Sequence, residues 1–232
     1  MTGKLYLLPV TLGGDDYEQV LPSKVLEIIR SLRVFIVEDL RSARRFLRLM
    51  DHNFPIDDST FFVLNEHTDP REIIGYLDPV EQGKDIGILS EAGLPCIADP
   101  GSLVVALAHK KKITVVPLTG PSSIILALIA SGFNGQKFTF NGYLPAKQPD
   151  LLSSLKDLER RASQGYTQLF METPYRAQKL LDSIFKYCTN DRKLCIATNI
   201  TLPDEWIKTM TISEWKKFPP DLKGRLVVFA LQ

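Results

Sequence analysis

The chain has 232 residues, 44% hydrophobic and 24% charged, which excludes disordered and fibrous classes and supplies apolar side chains for two compact cores. Twenty-eight Lys and Arg stand against 27 Asp and Glu, so the net charge of +1 excludes a whole-molecule pull toward nucleic acid or anionic lipid; such binding needs a local patch. Cys96, Cys188 and Cys195 form no CxxC pair, the pattern of reduced thiols in a cytoplasmic protein, and the apolar runs Leu5 to Val10 and Ile124 to Ala130 are too short for a signal core or membrane span.

Lys4 to Pro9 reads as a first strand, and Thr11 to Asp15 as its loop, without the G-x-G-x-x-G order of a dinucleotide site. Val25, Ile28, Ile29 and Leu32 fall at helical spacing, and Val34 to Val37 form a second apolar strand, so a βαβ rhythm begins. Glu38, Asp39 and Arg41 follow that strand, where a parallel sheet presents polar groups to a cleft; Asp39 also reads as the N-cap of a helix from Ser42 to Met50. Arg41, Arg44, Arg45 and Arg48 share one basic face, either a solvated surface or one that contacts phosphates. Thr60 to Leu64 is a third strand, and residues 70–80 a weak helix. His67 emerges at the same sheet edge, as a loop residue or a catalyst, whereas His52 and His109 have no partners at metal-ligand spacing; no catalytic metal is expected.

The stretch Asp85 to Gly101, DIGILSEAGLPCIADPG, organises the first half. Its run Ile86 to Leu89 suits a buried parallel strand that ends in a ligand loop. Gly93 lets backbone approach a ligand, Pro95 stiffens the loop, and Asp99 can cap a helix that begins at Pro100. Ile113 to Val116 makes another strand, and the Pro/Gly/Ser joint Pro117 to Ser123 marks a boundary, with domains expected over residues 1–117 and 118–232.

Beyond the joint, the apolar helix Ile124 to Ser131 precedes a strand over Phe138 to Tyr143, a helix over Leu151 to Arg161 and a strand over Tyr166 to Met171. Glu172 to Arg176 starts the helix Ala177 to Tyr187; strands follow at Lys193 to Thr198, Trp206 to Met210 and Leu226 to Leu231, with a helical turn at Ser213 to Lys216. The looser alternation predicts a mixed sheet here.

With these residues in place, the chain resembles the tetrapyrrole methylase superfamily of S-adenosylmethionine-dependent enzymes, and within it the ribosomal RNA small-subunit ribose 2'-O-methyltransferase family. Ser90-Glu91-Ala92-Gly93-Leu94-Pro95 with Asp99-Pro100-Gly101 matches that family's S-D-A-G-T-P and D-P-G, and Gly120-Pro121-Ser122-Ser123 matches G-P-S-A. Phe138, Phe140, Gly142, Leu144, Pro145 and Lys147 match F-x-F-x-G-F-L-P-x-K, and Glu172-Thr173-Pro174-Tyr175-Arg176 matches E-S-P-H-R. The departures are Pro9-Val10-Thr11-Leu12-Gly13 for P-I-G-N-L, Leu40 for Thr, Ala197 to Thr201 for A-R-E-L-T-K, and Lys223-Gly224-Arg225 for K-G-E. They bear on which acceptor is used.

The resemblance implies an α/β fold of two domains, the N-terminal one a mostly parallel sheet with helices on both faces, the C-terminal one a mixed sheet, with the cofactor cleft between them, and a homodimer. It implies S-adenosyl-L-methionine as cofactor, lined by Pro9, Glu91, Gly93, Leu94, Pro95, Ser122, Ser123, Met171, Ala197 and Leu226. Glu172 or Glu38 is then the candidate base, and Asp39, Arg41, Lys147 and Arg176 are candidate contacts to an RNA substrate of the small ribosomal subunit. A small tetrapyrrole-like acceptor, or a binding protein without turnover, stays open as an alternative.

Overall fold

The structure, a computed structural model, describes residues 2–69 and 71–232. The chain forms two compact units, one running to Ser122 and the other beginning at Ser123.

The first unit contains β1 (Lys4–Leu8), α1 (Ser23–Ser31), β2 (Val34–Val37), α2 (Leu40–Met50), β3 (Thr60–Val63), a 3-10 helix over Glu72–Leu77, α3 (Asp78–Glu81), β4 (Ile86–Leu89), α4 (Gly101–Lys110) and β5 (Thr114–Pro117). Its five strands are all parallel, in the order β3-β2-β4-β1-β5. The runs VFIV of β2 and IGIL of β4 are buried at every position, as expected of strands covered on both faces. The period of two sends Phe35 and Val37 into one core with Ile29 and Leu47 of α1 and α2, while Val34 and Ile36 enter another with Leu77 and Val104. The chain leaving β1 and β2 therefore covers one face, and the chain leaving β3 and β4 the other. Because β4 lies between β1 and β2, its carboxyl end opens a topological switch point of the kind where α/β sheets hold ligands.

The weak helix expected over residues 70–80 is a 3-10 turn followed by a single turn of α3, since Gly75 and Pro79 interrupt a regular helix; its first residue, Pro70, lies outside the described residues.

The second unit contains α5 (Ser123–Ser131), β6 (Phe138–Tyr143), α6 (Asp150–Ser163), β7 (Thr167–Glu172), α7 (Ala177–Tyr187), β8 (Lys193–Thr198), β9 (Trp206–Thr211), α8 (Ile212–Lys217) and β10 (Val227–Leu231). Its sheet runs β6-β7-β10-β8-β9, parallel between β6 and β7 and antiparallel elsewhere, so the mixed sheet is present. The last strand is central and wholly buried, and Phe229 stacks on Phe170 at 5.3 Å between ring centres, within a core shared with Leu155, Leu181 and Trp215. Among the described residues no helix is long and apolar enough to cross a membrane.

Candidate active site

In the first unit, β1, β2 and β4 end on one line, with Leu8 and Val37 both opposite Leu89. The loops beyond them are stitched together: Val10 N–H donates to Gly93 O at 2.9 Å and Gly93 N–H to Thr11 O at 3.3 Å. Gly93 has φ +72°, which favours glycine, and a Cβ there would be tight, 3.0 Å from Leu12 Cδ2 and 3.3 Å from Pro121 O. A Cβ on Gly120 would fall 2.0 Å from Pro9 Cβ. The loops after β1, β4 and β5 thus meet in one backbone junction formed by Pro9, Gly93 and Gly120. Leu94 follows directly, half-buried between pinned Gly93 and buried Pro95, and its N–H and C=O make no hydrogen bond among the described residues.

Carboxylates gather on this edge. Half-buried Glu38 receives the Glu91 N–H at a long 3.4 Å; burial pushes its carboxyl above the ordinary range, and the charges of Glu91, Asp99 and Asp39 add to the rise. Glu91 is exposed. Asp39, expected either at substrate or as a cap, is the cap: its Oδ1 accepts the Ser42 N–H at 2.7 Å, the main reason its carboxyl is held low. Arg41 stands exposed in the first turn of α2.

Asp99 serves the start of the helix and the loop before it. α4 begins at Gly101, one residue later than expected, and Asp99 accepts the Gly101 N–H at 2.7 Å while also fastening the loop through the Cys96 N–H at 2.8 Å. Burial pushes its carboxyl up against those bonds. Cys96 and Ala98 are both left-handed, at φ 69° and 62°, a conformation costly for residues with a Cβ, and the Asp99 bonds hold it in place. Glu38, Ser90 and Asp99 line a niche of about 10 Å3, room for one water. His67 is an exposed loop residue 3.5 Å from Glu66.

The second unit presents its expected residues on one sheet edge as well. Val227 lies opposite both Glu172 and Thr198, and Tyr143 opposite Met171, so Met171, Ala197, Leu226 and the loop carrying Lys147 share that edge. Glu172 is buried; its Oε1 accepts the Thr173 N–H at 2.7 Å, and its Oε2 lies 2.7 Å from Arg176 Nη2 without hydrogen-bond alignment. Arg176 Nη2 also donates to Leu144 O at 2.9 Å, so this pair ties the turn after β7 to the turn after β6. Lys147 is exposed, Met171 half-buried and Ala197 buried within β8. Ser122 is buried at the end of the first unit, and Ser123 opens α5 in the second.

Leu226 is held by a residue the sequence reading passed over. Asn199 N–H donates to Leu226 O at 2.9 Å, Leu226 N–H donates to Asn199 Oδ1 at 3.0 Å, and Asn199 Nδ2 donates to Asp204 at 2.8 Å. Asn199 is left-handed at φ 49°, and an Asn directly after a β run was the available signal. Beyond this clasp Asp204, Trp206, Asp221 and Arg225 line an open cleft of about 380 Å3.

The family model for tetrapyrrole (corrin/porphyrin) methylases matches residues 4–216. The chain is 31% identical over 212 residues to the ribosomal RNA small subunit methyltransferase I of Vibrio cholerae, covering 90% of this chain and 69% of that protein. It is 30% identical over 231 residues to the protein of the same name from Escherichia coli O157:H7, covering 97% and 77%. In fold it is similar to the crystal structure of diphthine synthase, with TM-score 0.67 and 16% identity over 99% of this chain and 89% of that one. With a family model matched along most of its length and a curated relative matched over two thirds of that relative, the chain belongs to the tetrapyrrole (corrin/porphyrin) methylase family.

Proposed function

We propose that the chain methylates a ribose 2'-hydroxyl of small-subunit ribosomal RNA, with S-adenosylmethionine as methyl donor. The observation that carries this reading is the likeness, at 30% and 31% identity and over 90% or more of the chain, to proteins named ribosomal RNA small subunit methyltransferase I.

When bound, the donor supplies a methyl group on a cationic sulfur. The residues proposed to hold it suit its chemistry. Leu94 offers a free backbone N–H and C=O on a rigid loop, Glu91 an exposed carboxylate for ammonium or hydroxyl groups, and Pro9 and Pro95 apolar contact. In the second unit we assign Ser123, Met171, Ala197 and Leu226 to the same ligand, with Asn199 setting the Leu226 backbone. Ser122 completes the set in the first unit.

A ribose hydroxyl is a weak nucleophile at neutral pH, so the chain must position it, a contribution of up to about 7–11 kcal/mol, and accept its proton. Glu38 is the better proton acceptor of the two candidates. Its carboxyl is half-buried and lightly engaged, with its pKa pushed up by burial, whereas Glu172 Oε1 accepts from Thr173 and its Oε2 is paired with Arg176. Arg41 and Lys147 are exposed cations suited to phosphate, while Arg176 acts by fixing its turn. The reading includes a homodimer in the cytoplasm; the three free cysteines support a reducing setting.

Small ribosomal subunits lacking the modification, incubated with the protein and tritiated S-adenosylmethionine, should take label into RNA, recovered after nuclease digestion as a 2'-O-methylated nucleoside. Label absent from RNA but present on a tetrapyrrole precursor overturns the acceptor. Label on a base in place of ribose overturns the 2'-hydroxyl assignment.

A further inference from the structure

We propose that the arginine face of α2 is the docking surface for the phosphate backbone of the RNA substrate, a step that rests on the RNA reading above. The helix buries Ala43, Phe46, Leu47 and Met50 on one side and leaves Arg41, Arg44, Arg45 and Arg48 on the other. Their spacing of i, i+3, i+4 and i+7 makes a single stripe with a cation at each turn of about 5.4 Å, a rise comparable to the separation of successive phosphates.

Three features separate this stripe from an ordinary solvated face. The helix contains no acidic residue, and among the described residues none of its arginines is in an ion pair. In α6, by contrast, Arg160 and Arg161 are both ion-paired with Asp157. Two of the guanidinium groups are also held in place without losing charge: Arg44 lies 5.6 Å above the Phe61 ring, and Arg48 donates to His52 O at 2.7 Å. Finally, α2 starts directly after Glu38 and Asp39, so the stripe runs away from the sheet edge that carries the candidate proton acceptor. Arg41 is partly offset by Asp39, which leaves Arg44, Arg45 and Arg48 as a local concentration of positive charge on a chain whose net charge is only +1.

The test compares the native protein with the triple variant R44Q/R45Q/R48Q and the charge-conserving R44K/R45K/R48K, using small ribosomal subunits and naked small-subunit RNA as probes. Binding of S-adenosylmethionine, followed by calorimetry, controls for folding. The Gln variant should bind both probes at least about 10-fold more weakly near 0.1 M salt, with a salt slope shallower by about 2, and raise KM with little change in kcat. The Lys variant should keep most of the affinity. Native binding and labelling with an unchanged slope in the Gln variant overturns the docking surface alone, and loss of affinity for intact subunits but not for naked RNA assigns the face to an acidic ribosomal protein and overturns it too. No binding or label with the native protein overturns the RNA reading and this proposal together.

Discussion

Glu38 shares one sheet edge with Glu91, Asp99 and Asp39, and burial adds more than those charges to the rise of its pKa. A carboxyl whose folded pKa lies above its unfolded one binds its proton more tightly in the native state, so stability falls as pH rises between the two values. The destabilisation is complete above the folded pKa and disappears below the unfolded pKa of about 4.3. Glu38→Gln should therefore raise the thermal midpoint at pH 7 to 8, with the gain vanishing near pH 4, as read from unfolding curves across that range. If the same carboxylate accepts the ribose proton, the variant should also lose about 100-fold or more in kcat with donor affinity unchanged. A variant less stable than the native protein throughout the series would mean that the bond to Glu91 outweighs the burial.

Among the elements, the turn after β7 depends on the buried Glu172 and on Arg176 one helical turn later. If the pair acts by holding the turn, Glu172→Gln and Arg176→Leu should cost similar amounts, about 1–3 kcal/mol each, and the double variant little more than either. A collapse of kcat in Glu172→Gln alone, with stability and donor binding intact, would return Glu172 to the role of base. Such couplings show where the sequence was informative. VFIV and IGIL have no polar interruption and could only be covered strands, and the basic stripe of α2 was visible in its spacing. Asp39 read two ways because a strand end and a helix start coincide there, and the bond to Ser42 decided for the cap. The placement of β10 at the centre of its sheet, the stitching of Gly93 to Val10 and Thr11, and the Asn199 clasp all join residues distant in the chain or depend on backbone handedness, which local pattern does not encode. Asp99 was expected to look forward to its helix, as it does through Gly101, and it also turns back to Cys96 across a loop in which Cys96 and Ala98 are left-handed.

Across the whole molecule, the three free thiols report on separate parts of the fold. Cys188 is buried at the end of α7, with its thiol pushed up to about 12 by burial and by Glu159. Cys195 is buried in β8, and burial pushes its thiol up as well. Cys96 is half-buried in the loop fastened by Asp99, and burial, with that carboxylate, pushes its thiol up to about 11. With its thiol pushed up, little of Cys96 is thiolate at pH 8, and alkylation of the native protein should be slow everywhere. It should still be ordered. Cys96 needs only local opening of a strained loop, whereas Cys188 needs the core around Leu181, Ile196 and Phe229 to open, and Cys195, buried on the other face of β8, needs the sheet itself to open. Peptide mapping after timed alkylation should show Cys96 modified first, with Cys188 and Cys195 appearing only at denaturant concentrations that unfold the second unit. S-adenosylmethionine should slow Cys96 further, since the loop proposed to hold the donor ends one residue before it. Equal reactivity of Cys96 and Cys188 in native buffer would contradict the assigned core, and donor-independent labelling of Cys96 would detach the Glu91 to Pro95 loop from donor binding.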